Sequence, residues 1–202
     1  DYLIAMDGDG EDRPEEIKLL VDKILENANT SVVARRVKRT EGPLFQLLYQ
    51  LHKIITLIFT GRNINFGHYS CLTKDDVILL SSKKSLWSNF AGTLKKNVLK
   101  LNNIPCIRGR RYFGPSKMSI IGLVKHSFSI IAVFKYQVLI RSLAIYFFLL
   151  LFLNKAYITV VFLQSMLVIF TIIIFITSRR ENSEAVSNSA NQIKDIINIH
   201  TT

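Results

Sequence analysis

Two carboxylates one residue apart, Asp7 and Asp9, directly follow the apolar residues 2–6. A run of this length is typical of a buried strand, and the glycines among the acids let the backbone turn at its end. Alternate side chains of a strand point the same way, so both carboxylates can face one hard cation or one ligand that carries a diphosphate. Mg²⁺ or Mn²⁺ prefers such oxygen ligands and usually keeps waters and substrate phosphates as further partners. The alternative is an ordinary surface turn, because Asp-Gly-Asp-Gly is also a common turn composition.

The residues after these acids predict an α/β domain that brings acids and bases to one edge of a sheet. Pro14 is placed to begin a helix whose apolar residues recur at helical spacing up to Leu25, and residues 30–34 form a second strand. That strand leads into the basic residues 35–39, so acids follow one strand and bases follow the next. We expect further helices over residues 43–59, 74–81 and 85–100, and further strands within 63–72 and over 104–107.

Charge is distributed unevenly along the 202 residues, whose formal net charge is +11. Residues 1–30 hold nine acids against three bases, whereas residues 31–118 hold sixteen Lys or Arg against three acids. Such a basic surface attracts anions, and the membrane segment described next favours lipid headgroups and phosphorylated substrates over nucleic acid. Cys71 and Cys106 are too few for a disulfide framework or a zinc site, and we interpret both as packing residues in a reducing compartment.

A membrane hairpin is predicted near the C-terminus. Residues 156–178 include 23 positions without a charge, enough to cross a hydrocarbon core of about 30 Å. Residues 137–153 cross as well if the aliphatic stem of Arg141 lets its charge reach an interface. The basic domain, together with Arg179 and Arg180, predicts that both ends of the hairpin lie in the cytosol. Before the hairpin, residues 120–136 mix apolar and basic side chains as an interfacial helix does, with an ordinary core helix as the alternative.

Three segments together carry a resemblance to a known family: residues 6–14 (Met-Asp-Gly-Asp-Gly-Glu-Asp-Arg-Pro), 36–39 (Arg-Val-Lys-Arg) and 111–117 (Arg-Tyr-Phe-Gly-Pro-Ser-Lys). In order, spacing and membrane context they resemble the family 2 glycosyltransferases of the dolichol-phosphate mannose synthase type. That group includes bacterial enzymes that load a sugar onto a polyprenyl phosphate. The resemblance implies a GT-A (Rossmann-like) fold and an inverting transfer from a nucleotide sugar to a lipid phosphate, with a divalent cation, Mg²⁺ or Mn²⁺, at Asp7 and Asp9.

The resemblance and the electrostatics assign roles to the basic residues. The sugar leaves with a nucleotide diphosphate, so charge develops that a cation and nearby arginines can stabilise. We expect Arg36, Arg39, Arg111 and Lys117 to hold the acceptor phosphate and the leaving diphosphate, with Asp9, Arg111 and Lys117 as the catalytic residues. Gly114 and Ser116 are expected to shape a loop that closes over the site. The alternative for each basic residue is a charge that only faces solvent or lipid headgroups. This alternative carries more weight for Arg35, Lys38, Arg108 and Arg110.

The sequence departs from the family pattern in three ways. Glu11 stands where the family usually has Gln, which adds a third negative charge beside the acid pair. His68 stands in a region where many relatives carry an acidic residue proposed as a base; it can accept a proton at neutral pH, but packing or loop structure is the alternative. The first strands of the family's domain, which hold the nucleotide base and ribose, are expected to precede Asp1. We therefore expect this piece of the protein to be inactive alone.

These observations divide the chain into four parts: residues 1–118 as the C-terminal part of a GT-A domain, 119–136 as a juxtamembrane helix, 137–178 as the transmembrane hairpin and 179–202 as a polar cytosolic tail. The expected protein is an integral membrane enzyme, of the cell inner membrane, that takes a nucleotide-sugar donor and a polyprenyl-phosphate acceptor at the cytosolic face. One alternative is a related transferase with another lipid or glycan acceptor. The other is a non-catalytic basic module at the membrane surface. A homo-oligomer is compatible with the hairpin, which shows no packing motif that would fix the oligomeric state.

Overall fold

The structure, a computed structural model, describes residues 1–27, 30–38, 43–114 and 119–189, and gives the backbone alone for residues 36–38, 44 and 45. Within these ranges four strands alternate with helices, and four further helices follow the last strand. The strands are β1 (Tyr2–Ala5), β2 (Val32–Lys38), β3 (Ser70–Thr73) and β4 (Asn102–Ile107). A 3₁₀ turn (Pro14–Glu16) precedes the helices, which are α1 (Ile17–Glu26), α2 (Pro43–Thr60), α3 (Lys74–Ser81), α4 (Ser85–Ser88), α5 (Phe90–Asn97), α6 (Ile120–Ala132), α7 (Lys135–Leu150), α8 (Tyr157–Ser178) and α9 (Ser183–Asn188).

The four strands form one mixed sheet in the order β1-β3-β2-β4. β3 runs antiparallel to both β1 and β2, while β2 and β4 are parallel. β1, β2 and β4 therefore share one direction, and their carboxyl ends lie at the same edge of the sheet. This confirms the predicted α/β class, although β1 and β4 are the outermost strands, so the segments that follow them must cross the edge of the sheet to meet.

Both faces of the sheet are covered by apolar side chains. On one face Leu20 and Ile24 of α1 pack against Val32, Cys71 and Cys106 of the strands. On the other face Val33 and Leu72, which alternate with those strand residues, pack against Leu80, Leu94 and Val98. Both cysteines are free and buried, as packing residues are.

Two elements differ from the sequence-based expectation. The single helix expected over residues 85–100 is two helices, because Asn89 leaves the helical conformation and its side-chain oxygen accepts a hydrogen bond from the N–H of Gly92 at 2.8 Å. An asparagine in this position caps the N-terminus of the helix that follows. β2 also extends to Lys38, beyond the expected end at Ala34, because it pairs with β4 up to Ile107.

The apolar C-terminal part forms a packed helical layer. Among the described residues, one helical stretch is long and apolar enough to cross a membrane, and it contains α8. α6 and α7 are long and apolar enough only when they are taken together, and they are bent by 90° at the break between them. α7 has 16 residues, two of them before the expected start of the hairpin, and packs against α8 through Ser142, whose hydroxyl accepts a hydrogen bond from Thr171 at 2.9 Å. The predicted hairpin is thus present as a helix pair, and the crossing by residues 137–153 remains a prediction.

Arg141 has a bonding partner that the sequence did not indicate. Its Nη1 donates a hydrogen bond to the carbonyl oxygen of Ile58 at 3.0 Å, in the last turn of α2. Gly61 follows that turn with a φ of +70°, and a Cβ there would lie 2.5 Å from Nη2 of Arg141. The carbonyls at a helix C-terminus carry partial negative charge and need donors. The guanidinium therefore binds α2 to α7, and its reach to a membrane interface stays a prediction.

Two lysines fix the ends of the long helices, and one of them also connects these helices to the sheet domain. Lys135, at the start of α7, forms an ion pair of 2.9 Å with Glu181, just after α8, and both side chains are largely buried. Lys96 of α5 donates a hydrogen bond to the carbonyl oxygen of Val133. Burial lowers the pKa of Lys96, with opposing effects of the charges on Glu181 and Lys135. These contacts fix α5 against the junction of α6 and α7.

Candidate functional site

The acids predicted to do chemistry lie in a turn that follows β1, which we call the acid loop (residues 7–13). Two hydrogen bonds shape it: the N–H of Asp7 donates to Oδ2 of Asp12, and the N–H of Glu11 donates to Oδ1 of Asp9, both at 3.0 Å. Side chains of this type commonly fold back onto nearby backbone N–H groups in turns. The acid loop is therefore both the expected turn and a group of carboxylates at the carboxyl edge of the sheet.

A second segment, the basic loop (residues 108–114), leaves β4 and crosses the acid loop. The N–H of Gly109 donates to the carbonyl oxygen of Glu11, and the N–H of Tyr112 donates to that of Asp9, both at 2.9 Å. Gly10 has a φ of +89°, and a Cβ on it would lie 2.9 Å from the carbonyl oxygen of Arg110. A Cβ on Gly109 would overlap the carbonyl oxygen of Gly10. The two loops approach so closely that only glycine is accommodated at these two positions.

The side chains of the two loops form an ion-pair network centred on Glu11. Arg111 donates from Nε to Oε1 of Glu11 at 2.7 Å and places Nη2 3.1 Å from Oδ2 of Asp9. Arg108 pairs with the other carboxylate oxygen of Glu11. Glu11 is 8% exposed, whereas Asp9 is half-buried. An arginine that binds two carboxylates is well suited to recognise oxyanions in the same place.

The ionisation of the network follows from these contacts. Burial raises the pKa of Glu11, but the hydrogen bonds and positive charges of Arg111 and Arg108 outweigh burial, and the net pKa is lowered. The hydrogen bond to Glu11 raises the pKa of Arg111, and the carboxylates of Asp9 and Asp7 add to that effect. Glu11 is therefore ionised and Arg111 is charged at neutral pH.

The acid pair has the chemistry that a divalent cation requires. Asp7 and Asp9 supply two carboxylates, and Mg²⁺ commonly takes one or two from the protein and the rest from waters and substrate phosphates. In the described part of the chain, no group of three or more His, Cys, Asp or Glu is arranged to hold a metal ion. A cation held by Asp7 and Asp9 would take its remaining ligands from waters and substrate phosphates.

The remaining predicted residues divide into three groups. Arg36 pairs in register with Cys106 in the parallel strands, so its backbone lies near the same sheet edge as the two loops. Gly114 ends the described part of the basic loop with a φ of +65°. The predicted residues Arg39, Ser116 and Lys117 lie outside the described residues.

His68 lies at the surface beside Phe90. Its ring lies 5.4 Å from that of Phe90, and its carbonyl oxygen accepts a hydrogen bond from the Ser70 hydroxyl at 2.9 Å. The side chain is exposed, and its charge contributes, after burial, to the lowered pKa of His126. Phe90 belongs to α5, His126 to α6 and Ser70 to β3, all outside the acid loop.

Sequence reasoning gave too little weight to Arg108 and did not identify a buried polar group below the network. Glu16 is 8% exposed; its Oε1 accepts a hydrogen bond from the N–H of Ile107 at 3.0 Å, and its Oε2 has no partner among the described residues. A cavity of about 10 Å³ lies beside Glu16, Tyr69 and Cys106, with room for about one water molecule. Burial, followed by the charge of Glu16, raises the pKa of the Cys106 thiol to about 12. No local spacing could predict this group, because Glu16 and Ile107 are 91 positions apart.

Comparison of the chain with protein-family models, with curated protein sequences and with solved structures found no match.

Proposed function

We propose that this chain is part of a membrane-attached, GT-A-type glycosyltransferase that moves a sugar from a nucleotide diphosphate to a polyprenyl phosphate. The observation that supports this most is the meeting of the acid loop and the basic loop at the carboxyl edge of the sheet. Open α/β sheets bind ligands at that edge. Carboxylates for a cation and an arginine for phosphate oxygens are the groups that a diphosphate leaving group requires.

In the proposed reaction each side chain has a defined task. Asp7 and Asp9 hold the divalent cation, which when bound would neutralise charge on the leaving diphosphate. Arg111, which pairs with Glu11 and Asp9 in the structure, turns part of its fork of donors to phosphate oxygens when a substrate arrives. Glu11 keeps the guanidinium in place through its Nε, and Arg108 neutralises the second oxygen of Glu11. Arg36, Arg39 and Lys117 add positive charge for the acceptor phosphate.

The acceptor class follows from the apolar surface that adjoins the sheet domain. α2 exposes an apolar stripe at helical spacing, formed by Leu47, Leu51, Ile54 and Ile58. α2 packs on α6 and α7, and Arg141 binds its last turn. We infer that the stripe lies in the membrane interface beside the candidate spanning helix α8, so that a lipid phosphate can reach the basic loop without leaving the bilayer.

The non-catalytic module remains the second candidate, and one observation favours it. Asp9 and Glu11 are already paired with Arg111 and Arg108 in the ligand-free chain, which is also the arrangement of a purely structural ion-pair network. A structural network holds the two loops together and requires no cation or sugar donor.

A transfer assay separates the candidates. The natural protein that contains this sequence is purified in detergent and supplied with polyprenyl phosphate, Mg²⁺ or Mn²⁺ and a panel of radiolabelled nucleotide sugars. Label in the lipid phase that is lost in Arg111→Gln and kept in Arg110→Gln supports the proposal, because Arg110 is exposed and adjacent but outside the network. Label in another lipid or glycan identifies the related transferase with a different acceptor. No label from any donor in a folded, membrane-bound protein contradicts the transferase and favours the module.

A further inference from the structure

An open groove lies between α7 and α8 at the end where α7 begins and α8 ends. Its volume is about 430 Å³, within the usual range for small-molecule sites. Leu139 of α7 and Ile172 and Ile176 of α8 contribute to its apolar walls, and Lys135 and Arg179 lie at its polar end. None of its lining residues belongs to the acid loop or the basic loop, so this groove is a separate surface.

The polar end of the groove carries net positive charge. Lys135 is neutralised by its buried ion pair with Glu181 at 2.9 Å. Arg179 is exposed and forms no ion pair with any of the described residues. The N-terminus of α7 and the C-terminus of α8 contribute opposite partial charges here, so the backbone dipoles offset each other. The net positive charge at this end of the groove therefore comes from Arg179.

The walls of the groove face the surroundings of the hairpin. Ile172 is 53% exposed and Ile176 is 58% exposed, although both belong to the apolar helix that is long enough to span a membrane. In a bilayer such side chains contact acyl chains. A ligand that suits the whole groove therefore combines one anionic group at Arg179 with an apolar chain along Ile172 and Ile176.

We propose that this groove binds one anionic phospholipid of the surrounding bilayer, with its phosphate at Arg179 and an acyl chain between α7 and α8. Basic pockets between membrane helices near the headgroup level are sites of this kind. The bound lipid would cover the apolar walls that the two helices leave exposed. It would also join α7, whose junction with α6 is fixed to the sheet domain through Lys96 and Val133, to the outer face of α8.

The test uses the full chain in nanodiscs made of phosphatidylglycerol and phosphatidylcholine in equal amounts, followed by gentle detergent release and native mass spectrometry. We expect one phosphatidylglycerol to be retained in preference to phosphatidylcholine. Arg179→Gln should reduce that retention about fivefold, since one cation near the headgroups is worth about 1 kcal/mol. Arg180→Gln removes the same charge one residue away, outside the groove, and should leave retention unchanged.

A second pair of variants tests the apolar wall of the groove without changing any charge. Ile172→Trp fills the groove wall, whereas Ile173→Trp places the same bulk on a residue that does not line the groove. Loss of the retained lipid in Ile172→Trp alone supports the proposal. Equal retention of the two phospholipids, equal loss in Arg179→Gln and Arg180→Gln, or unchanged retention in Ile172→Trp overturns it. Displacement of phosphatidylglycerol by equimolar polyprenyl phosphate also overturns it, because the groove would then belong to the acceptor.

Discussion

Replacement of Gly10 by alanine should uncouple the acid loop from the basic loop. Gly10 has a φ of +89°, and a Cβ would lie 2.9 Å from the carbonyl oxygen of Arg110 and from the ring of Tyr112. The Tyr112 ring is 61% exposed and can move away, but the Arg110 carbonyl belongs to a backbone that is hydrogen-bonded to the acid loop through its neighbours Gly109 and Tyr112. The backbone contact therefore determines the effect.

The expected loss of stability combines two contributions. A non-glycine residue in the left-handed region costs about 1–2 kcal/mol. Forcing an extra methyl group into a filled space costs about 1–3 kcal/mol. Together they predict that Gly10→Ala lowers the free energy of unfolding by about 3 kcal/mol, which for a chain of this size corresponds to a melting temperature lower by about 6–12 °C.

Gly8 provides the matched control within the same loop. Its φ is not in the left-handed region, and a Cβ there would meet nothing within 4 Å. Gly8→Ala should therefore leave the melting temperature unchanged or raise it slightly, because alanine reduces the conformational freedom of the unfolded chain. Both variants are measured by differential scanning fluorimetry in one detergent. Equal melting temperatures for Gly10→Ala and Gly8→Ala would refute the close approach of the two loops.

Three further predictions concern the network, the cysteines and the membrane surface. The pKa of Glu11 in the folded protein lies below its ordinary value of 4.5. The ionised carboxylate therefore stabilises the fold above pH 4.5, and this stabilisation is lost as the pH falls through the lowered pKa. Denaturant titrations should therefore show Glu11→Gln less stable than the wild type at pH 7 and equally stable at strongly acidic pH; a gap that persists would contradict the ion pairs. Burial raises the pKa of both Cys71 and Cys106, so iodoacetamide at pH 8 should label neither until the chain unfolds, and rapid labelling of the folded protein would show that the sheet core is open. Leu51→Asp on the exposed stripe of α2 should weaken liposome binding of the detergent-released protein more than Gln50→Asp does, and equal flotation of the two would remove α2 from the interface.

The sequence predicted most elements because their signals are local. Apolar spacing and capping residues predicted α1, α2 and α3, and the uncharged residues 156–178 predicted α8. The break at Asn89 was missed because asparagine caps a helix only when the preceding backbone is extended, which depends on packing. The environment of Arg141 was missed for a similar reason, since the carbonyl that it binds belongs to a helix 83 positions earlier in the chain.

The site was partly predictable. Acids after one strand and bases after another indicated a shared sheet edge. The contact of Arg111 with Asp9 was not predictable from strand order, because β1 and β4 are the outermost strands and the contact depends on the basic loop crossing the acid loop. The pairing of Arg108 with Glu11 was not predictable, because adjacent basic residues look alike in a sequence and the register of the two loops selects among them. Gly109 shows why that register is fixed, since any side chain there would overlap the acid loop.

The most direct test of the proposed active site compares metal-dependent sugar transfer by two variants, Asp9→Asn and Asp22→Asn. Asparagine retains an oxygen that can accept the hydrogen bond from the Glu11 N–H, so the acid loop should keep its shape while the cation loses a charged ligand. Asp22 lies exposed on α1, outside both loops, and undergoes the same chemical change. We predict that Asp9→Asn folds, binds membranes and loses transfer of sugar to polyprenyl phosphate by at least a hundredfold, about 3 kcal/mol in the barrier, while Asp22→Asn transfers normally. Equal transfer by the two variants, with Mg²⁺ or Mn²⁺ present, would contradict the account.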